Sequence, residues 1–330
     1  MDASEATPGG LTALDLFCGA GGSSTGLAAA GVRVVLAANH WRLAVDVHQL
    51  NHPGADHDCA DISAVDPRRY PLTDILWASP ECTNHSVSKG VRRATGQLAL
   101  FGDAPDPAAE RSRATMWDVP RFAEAMAARG RPYRAIIVEN VVDARWWVGW
   151  RGWLAVMEDL GYDHAEVYLN SAFAHGKDYG GAPQYRDRVY VVFWRRGAAA
   201  PDLDVRPPAW CPRCEAAVGA VQAWKKPAER WGRYRAQYVY QCPDAGCRAV
   251  VEPLALAAAT VIDWSELGSR IGDRTRPLAS ATRERIRAGL ARYGRCLVPA
   301  GGTWNDGPAP VDSPFRTRTT RETEGLACPP

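Results

Sequence analysis

The run Leu11-Thr12-Ala13-Leu14-Asp15-Leu16-Phe17-Cys18-Gly19-Ala20-Gly21-Gly22 decides the fold. Leu11 to Phe17 is a short apolar stretch that reads as a buried strand, and Gly19 to Gly22 breaks it. Ser23 to Ala30 then reads as a helix that Gly31 ends. Val32 to Ala38, apolar and β-branched, is a second strand. Glycines let a backbone turn tightly and approach a ligand closely. Taken alone, the turn fits a plain strand–helix connection equally well. No lysine-serine pair follows it, so a phosphate-gripping loop is not indicated.

The same alternation continues outward. Ala44 to Leu50 reads as helix, Asp74 to Ala78 as a buried strand, and Trp117 to Ala128 as an amphipathic helix. Ala135 to Val138 reads as a strand ending at Glu139, Trp150 to Leu160 as a helix capped by Gly161, and Val189 to Trp194 as a strand. Strands alternating with helices predict an α/β fold, a mostly parallel sheet with helices on both faces. Ligands of such sheets sit at the carboxyl ends of the strands. Gly19–Gly22, Cys82 and Glu139 all fall just past predicted strand ends, which gathers them into one cleft.

The chain has 330 residues, 46% of them hydrophobic, enough for a large catalytic domain and a smaller appendage. A formal net charge of +2 excludes little. Of the 39 basic residues only Lys89, Lys177, Lys225 and Lys226 are lysines, a bias that a GC-rich genome explains. The polar start Met1-Asp2-Ala3-Ser4-Glu5 reads as no signal peptide, and no apolar run reaches transmembrane length. The nine cysteines sit in motifs rather than in a disulfide spacing, which suits a reducing cytoplasm.

Three further strings follow the glycine turn in order. They are Trp77-Ala78-Ser79-Pro80-Glu81-Cys82, Val138-Glu139-Asn140-Val141, and Pro183-Gln184-Tyr185-Arg186-Asp187-Arg188. A thiol nucleophile, a carboxylic acid and a guanidinium fork thus stand behind a nucleotide-type turn. That order resembles the DNA cytosine carbon-5 methyltransferase family, well over residues 11 to 195 and in part beyond. The resemblance implies a Rossmann-like S-adenosylmethionine-dependent sheet. Phe17, Gly19, Ala20, Gly21 and Gly22 would form the cofactor loop, Trp41 the aromatic residue under the adenine, and Asp61 and Ile62 the later adenine contact. A helix cap is the plain alternative for Asp61.

Cys82 would add as thiolate to carbon 6 of cytosine, turning the ring into an enamine whose carbon 5 attacks the methyl donor. Glu139 would serve as general acid at ring nitrogen 3, with burial raising its pKa. Asn140 would fix the loop through backbone hydrogen bonds. Arg188 would hold the base carbonyl, supported by Arg186 and Gln184. The base must be flipped out of double-stranded DNA. Val87 to Arg93, with Ser88, Lys89, Gly90, Arg92 and Arg93, resembles the loop that closes over it; a surface loop is the plain alternative. Two positions depart from the family pattern. His40 stands where an acid should hold the ribose hydroxyls, and Glu81 stands where proline should precede the cysteine.

Composition changes near Pro201, and Pro207-Pro208 reads as a linker. Cys211-Pro212-Arg213-Cys214 alone could be a redox pair, but with Cys242-Pro243-Asp244-Ala245-Gly246-Cys247 it reads as the first of two knuckles offering four thiolates to one structural zinc. Between them Trp224, Lys225, Lys226, Arg230, Trp231, Arg233, Tyr234, Arg235, Tyr238 and Tyr240 interleave aromatics with cations. That pattern suits phosphate contact and base stacking, or else a zinc-stapled structural insert. The expected organisation is a flexible 1–10, a catalytic 11–200, a zinc-bearing recognition insert 201–262, and a partial return at 263–330. Ser280 to Tyr293 reads as helix, and Pro314 to Glu322 resembles the family segment that braces the recognition region. The family's closing segment is not found before Pro330, so either the chain is C-terminally incomplete or that piece is absent or supplied otherwise. The chain is read as a monomeric cytoplasmic protein, nucleoid-associated through DNA and without membrane contact. An RNA cytosine methyltransferase and a catalytically defective DNA-binding relative remain the competing readings.

Overall fold

The computed structural model describes residues 10–81, 115–176, 180–266, 270, 273–299, 307–318 and 324–329. The chain divides into two compact units. The first comprises Met1–Leu169, Asp187–Asp204 and Ala228–Arg233; the second comprises Asn170–Arg186, Val205–Pro227 and Tyr234–Pro330.

The first unit opens β1 (Thr12–Leu16), α1 (Gly22–Ala29), β2 (Arg33–Asn39), α2 (Arg42–Asn51), β3 (Asp56–Cys59) and β4 (Ile75–Ala78). It continues with α3 (Asp118–Ala128), β5 (Ala135–Val141), α4 (Trp150–Asp159), β6 (Tyr162–Asn170) and β7 (Asp187–Arg195). These strands form one seven-stranded sheet in the order β3-β2-β1-β4-β5-β7-β6. β1 runs parallel to both β2 and β4, and β5 runs parallel to β4 but antiparallel to β7. From β1 the chain first builds outward to β2 and then crosses to β4 on the other side. The crevice at the carboxyl ends of β1 and β4 is therefore the topological switch point, where open α/β sheets bind ligands.

Side-chain alternation follows from the register. Asp15 lies opposite Ala37 and Trp77, and Ala37 lies opposite His57, so these share one face. Leu27 of α1 packs on that face with Ala13, Val34, Ile75 and Trp77. Leu14, Leu76 and Ile136 line the other face, where Trp153 of α4 meets Phe193 at 5.3 Å. Helices thus cover both faces, and β1 is buried through Ala13–Leu16.

Two strands and one strand end differ from the sequence expectation. β3 and β6 were not foreseen, and β5 runs past Val138 to Val141, so Glu139 lies inside a strand rather than beyond it. On its β4 side pairing stops at Ala78 opposite Val138, while on its β7 side Glu139 still pairs with Tyr190. The antiparallel β7 extends the strand, a non-local cause.

The second unit holds β8 (Pro208–Cys211), β9 (Ala216–Gly219), β10 (Val221–Trp224), β11 (Tyr238–Gln241) and β12 (Val250–Val251). It also holds α5 (Ser280–Tyr293), β13 (Cys296–Pro299), β14 (Ala309–Pro310) and β15 (Glu324–Ala327). α5 packs Ile286, Leu290 and Tyr293 on β13 and β15. Phe315 pairs with Gln184, and Tyr185 N donates to Phe315 O at 2.8 Å, so the 314–318 segment braces the Gln-x-Arg string. Among the described residues no helix is long and apolar enough to cross a membrane.

Candidate active site

β1 ends at Leu16, and Phe17 takes a left-handed φ of 59°, which few non-glycine residues adopt. Asn39 at the end of β2 holds this corner, its Nδ2 donating to Cys18 O at 2.5 Å and its Oδ1 accepting from Trp41 N at 2.9 Å. Gly21 has a φ of 103°, and a Cβ there would meet the His52 ring at 2.5 Å. Among the described residues nothing lies within 4 Å of where a Cβ of Gly19 or Gly22 would stand. The loop therefore shows bare backbone to open space, and no side chain caps α1. Such an end favours a ligand that accepts backbone N–H bonds. Trp41 is 59% exposed beside it, suited to stacking on a flat ring.

Asp61 Oδ1 accepts from Ser63 N at 3.0 Å, closing a local turn, and Ile62 is buried. The turn is the cap-like role that local sequence alone allowed. Cys18 is buried, and its thiol is pushed up to about 12 by desolvation and then by Asp15. It is an inert core cysteine. Cys82 itself lies outside the described residues, as do Ser88, Lys89, Gly90, Arg92 and Arg93. The approach to it is described: Asn140 Nδ2 donates to Pro80 O at 3.4 Å, and Asn140 Oδ1 accepts from Val141 N at 2.8 Å.

The two departures from the family pattern face each other. His40 Nδ1 lies 3.4 Å from the Glu81 carboxylate. His40 follows β2 and Glu81 follows β4, the two neighbours of β1 in the sheet. A carboxylate therefore stands at this edge of the crevice, carried by β4 instead of β2.

Glu139 pairs with Arg188, whose Nε lies 2.7 Å from its carboxylate, with both side chains largely buried. The register explains the pair. Glu139 opposes Tyr190, and Arg188 is two positions along β7 on the same face, a diagonal neighbour. Tyr190 meets Trp77 edge-on at 6.1 Å. Arg186 belongs to the second unit, where its N donates to Asn170 Oδ1 at 3.2 Å. Glu139 and Arg188 are thus brought together, and the charged fork can hold a polar atom presented to the carboxyl group.

In the second unit the four sulfurs of Cys211, Cys214, Cys242 and Cys247 lie within 4.8 Å of one another. Cys211 Sγ is 3.6 Å from Cys247 Sγ, and Cys214 Sγ is 3.8 Å from Cys242 Sγ. Four thiolates at tetrahedral zinc are spaced about 3.8 Å apart, so the cluster fits that ion. The β8–β9 hairpin carries the first knuckle, and the second lies between β11 and β12. Tyr238 and Tyr240 correct the base-stacking reading. They are fully buried and pack with Phe173 and Tyr234, whose rings lie 4.8 Å apart, so they belong to the core of the second unit. Lys225 and Lys226 are exposed, as is Arg230 of the first unit.

The C-5 cytosine-specific DNA methylase family matches residues 11–207. The chain is 30% identical over 193 residues to the type II methyltransferase M.HgiDI of Herpetosiphon aurantiacus, covering 58% of this chain and 54% of that protein. It is 33% identical over 185 residues to M.HgiBI of the same organism, covering 54% of this chain and 36% of that one. It therefore spans about half the length of the first relative and about a third of the second. Among solved structures, the S. pombe Dnmt2 methyltransferase aligns over 58% of this chain and 52% of that one, with 21% identity and a TM-score of 0.43.

Proposed function

The chain belongs to the C-5 cytosine-specific DNA methylase family, and from that membership we propose that it transfers a methyl group from S-adenosylmethionine to carbon 5 of cytosine in double-stranded DNA. The observation that carries the reading is the Glu139–Arg188 pair on β5 and β7, one strand from the Pro80-Glu81 end of β4, which itself neighbours the strand that leads into the bare glycine loop. S-adenosylmethionine supplies the electrophilic methyl group when bound. Phe17, Gly19 to Gly22 and Trp41 would hold it, with Asp61 and Ile62 near the adenine. Cys82 adds to carbon 6 of a flipped-out cytosine, carbon 5 takes up the methyl group, and loss of the carbon-5 proton to a base then expels the Cys82 thiolate. Arg188 holds the base carbonyl, Arg186 supports it, and Glu139 moves a proton at ring nitrogen 3. Bisulfite sequencing of DNA from cells expressing the chain tests the activity; cytosines left wholly unmodified would refute it.

Glu139→Gln keeps the shape and removes the acid. The single-turnover methyl-transfer rate is expected to fall by about 10²–10⁴-fold while the melting temperature holds. An unchanged rate would take Glu139 out of the mechanism.

We assign Glu81 the role that an acid at position 40 has elsewhere in the family, acceptance of hydrogen bonds from the ribose hydroxyls. His40→Glu alone would set two carboxylates against each other and weaken cofactor binding by about tenfold. Adding Glu81→Pro exchanges both departures, and the double variant should bind more tightly than either single one. Calorimetry with S-adenosylhomocysteine reads the cycle; strictly additive effects would separate the two positions.

The recognition region is assigned to 201–262, with zinc held by Cys211, Cys214, Cys242 and Cys247. The metal would cross-link the two knuckles and take no part in the reaction. Exposed Lys225, Lys226 and Arg230 suit phosphate contact. Competition between double-stranded DNA and RNA for the protein separates this reading from an RNA methyltransferase.

A further inference from the structure

The glycine loop is held from behind by one helix. On α2, His48, Asn51 and His52 stand at positions i, i+3 and i+4, which share a face. Asn51 Nδ2 donates to Ala20 O at 2.6 Å. His52 Nε2 lies 2.9 Å from Gly21 O and 3.1 Å from Thr25 Oγ1. A carbonyl only accepts, so the His52 proton sits on Nε2. His48 Nε2 lies 2.9 Å from Ser24 Oγ.

Beneath the loop these contacts join a directed chain. Ser23 and Ser24 both give their hydroxyl protons to Asp15 Oδ2, at 2.5 and 2.7 Å. Ser24 Oγ must then accept from His48, which puts the His48 proton on Nε2 and leaves Nδ1 to accept. His57 Nε2, 2.8 Å from that Nδ1, is the donor. Every bond points from β3 through α2 and α1 toward Asp15. Burial pushes His48 down to about 4, so at neutral pH it stays in the neutral form this chain needs.

The other end of α2 starts directly after Trp41, its N-cap residue. Ten residues of helix, about 15 Å, therefore join the exposed indole to the loop clamp. We propose that α2 is the positioning element of the cofactor loop: its last turn clamps Ala20, Gly21 and Ser24 while its N-cap presents Trp41, so that His48 and His52 set cofactor affinity without touching the reacting atoms. This rests on the S-adenosylmethionine reading.

The experiment is calorimetric titration with S-adenosylhomocysteine at neutral pH, alongside melting curves and turnover at saturating S-adenosylmethionine. Wild type that fails to bind would overturn the cofactor reading and this inference together. With wild type binding, His52→Ala should raise the dissociation constant about tenfold, the weight of one to two hydrogen bonds. Its kcat at saturating cofactor should stay within about twofold of wild type, because the clamp lies off the reacting atoms. His52→Gln, whose amide can still donate to Gly21 O, should recover most of the affinity. His48→Phe keeps the bulk and loses the donor, and should also weaken binding; if it does not fold, the His52 pair carries the test alone. Unchanged affinity in His52→Ala, or a His52→Gln as weak as His52→Ala, overturns the proposal.

Discussion

Cys82→Ser is expected to abolish methyl transfer, by up to about 10⁶-fold, the scale on which removal of a covalent nucleophile acts. An alcohol is a far poorer nucleophile than a thiolate near neutral pH, and carbon 5 is not activated until carbon 6 is attacked. Cofactor binding should survive, because in the proposed mechanism the thiol meets the base and the glycine loop meets the cofactor. The other candidate in the crevice, Cys18, is excluded by its burial and raised thiol pKa. A duplex carrying 5-fluorocytosine should trap wild type as a covalent adduct, since the carbon-5 substituent cannot leave. Peptide mapping of that adduct to any cysteine other than 82 would overturn the assignment, as would measurable turnover by the serine variant.

Stripping the proposed zinc should have the second large effect. Structural zinc in small modules contributes about 10–16 kcal/mol, comparable to the whole stability of a domain. β8 to β12 are short strands of two to four residues, and the four thiols between them converge on one point. Without an ion, three buried thiols would have only weak partners. Serine at Cys211, Cys214, Cys242 or Cys247, or a strong chelator, should therefore unfold the insert and reduce DNA affinity by at least about tenfold. Cofactor affinity should change little. Elemental analysis finding no metal in purified protein would refute the site, and so would a chelator-treated protein with an unchanged circular dichroism spectrum.

The central strands were legible because they are apolar and bounded by glycine. Leu11–Phe17, Val32–Ala38 and Asp74–Ala78 all correspond to strands within one or two residues. The two missed strands are the two edges of the sheet. β3 reads Asp-His-Asp-Cys, and β6 begins Tyr-Asp-His-Ala-Glu, patterns that look like loop. Edge strands take polar residues because one side of the ladder lacks a strand partner, and charge there discourages pairing with other chains. Composition alone could not separate that from a turn.

Candidate-site residues divide in the same way. The glycine turn, Glu139 and Arg188 could be read from short strings, since each string carries its own chemistry. The His40–Glu81 pair could not, because its members come from two strand ends whose nearness depends on sheet order. Tyr238 and Tyr240 misled for the converse reason: aromatics among cations look like a nucleic-acid surface until alternation on β11 turns both inward. Nothing in the sequence sets His48 apart within the Ala44–Leu50 helix, although it is fully buried.

Beneath the glycine loop, burial moves two neighbouring groups in opposite directions. Desolvation pushes Asp15 up to about 6 from 3.8, against the donations of Ser23 and Ser24. Desolvation pushes His48 down to about 4 from 6.5, and His57 is also lowered. Between pH 6 and 3.8 the folded chain holds more protons on Asp15 than the unfolded chain does, so this group adds stability as pH falls. Between pH 6.5 and 4 the unfolded chain holds more protons on His48, so that group removes stability as pH falls. The two windows overlap with opposite slopes. A carboxylate and an imidazole, each a titration liability when buried alone, thereby act as mutual ballast, and the loop's foundation is less sensitive to acid than either group would make it.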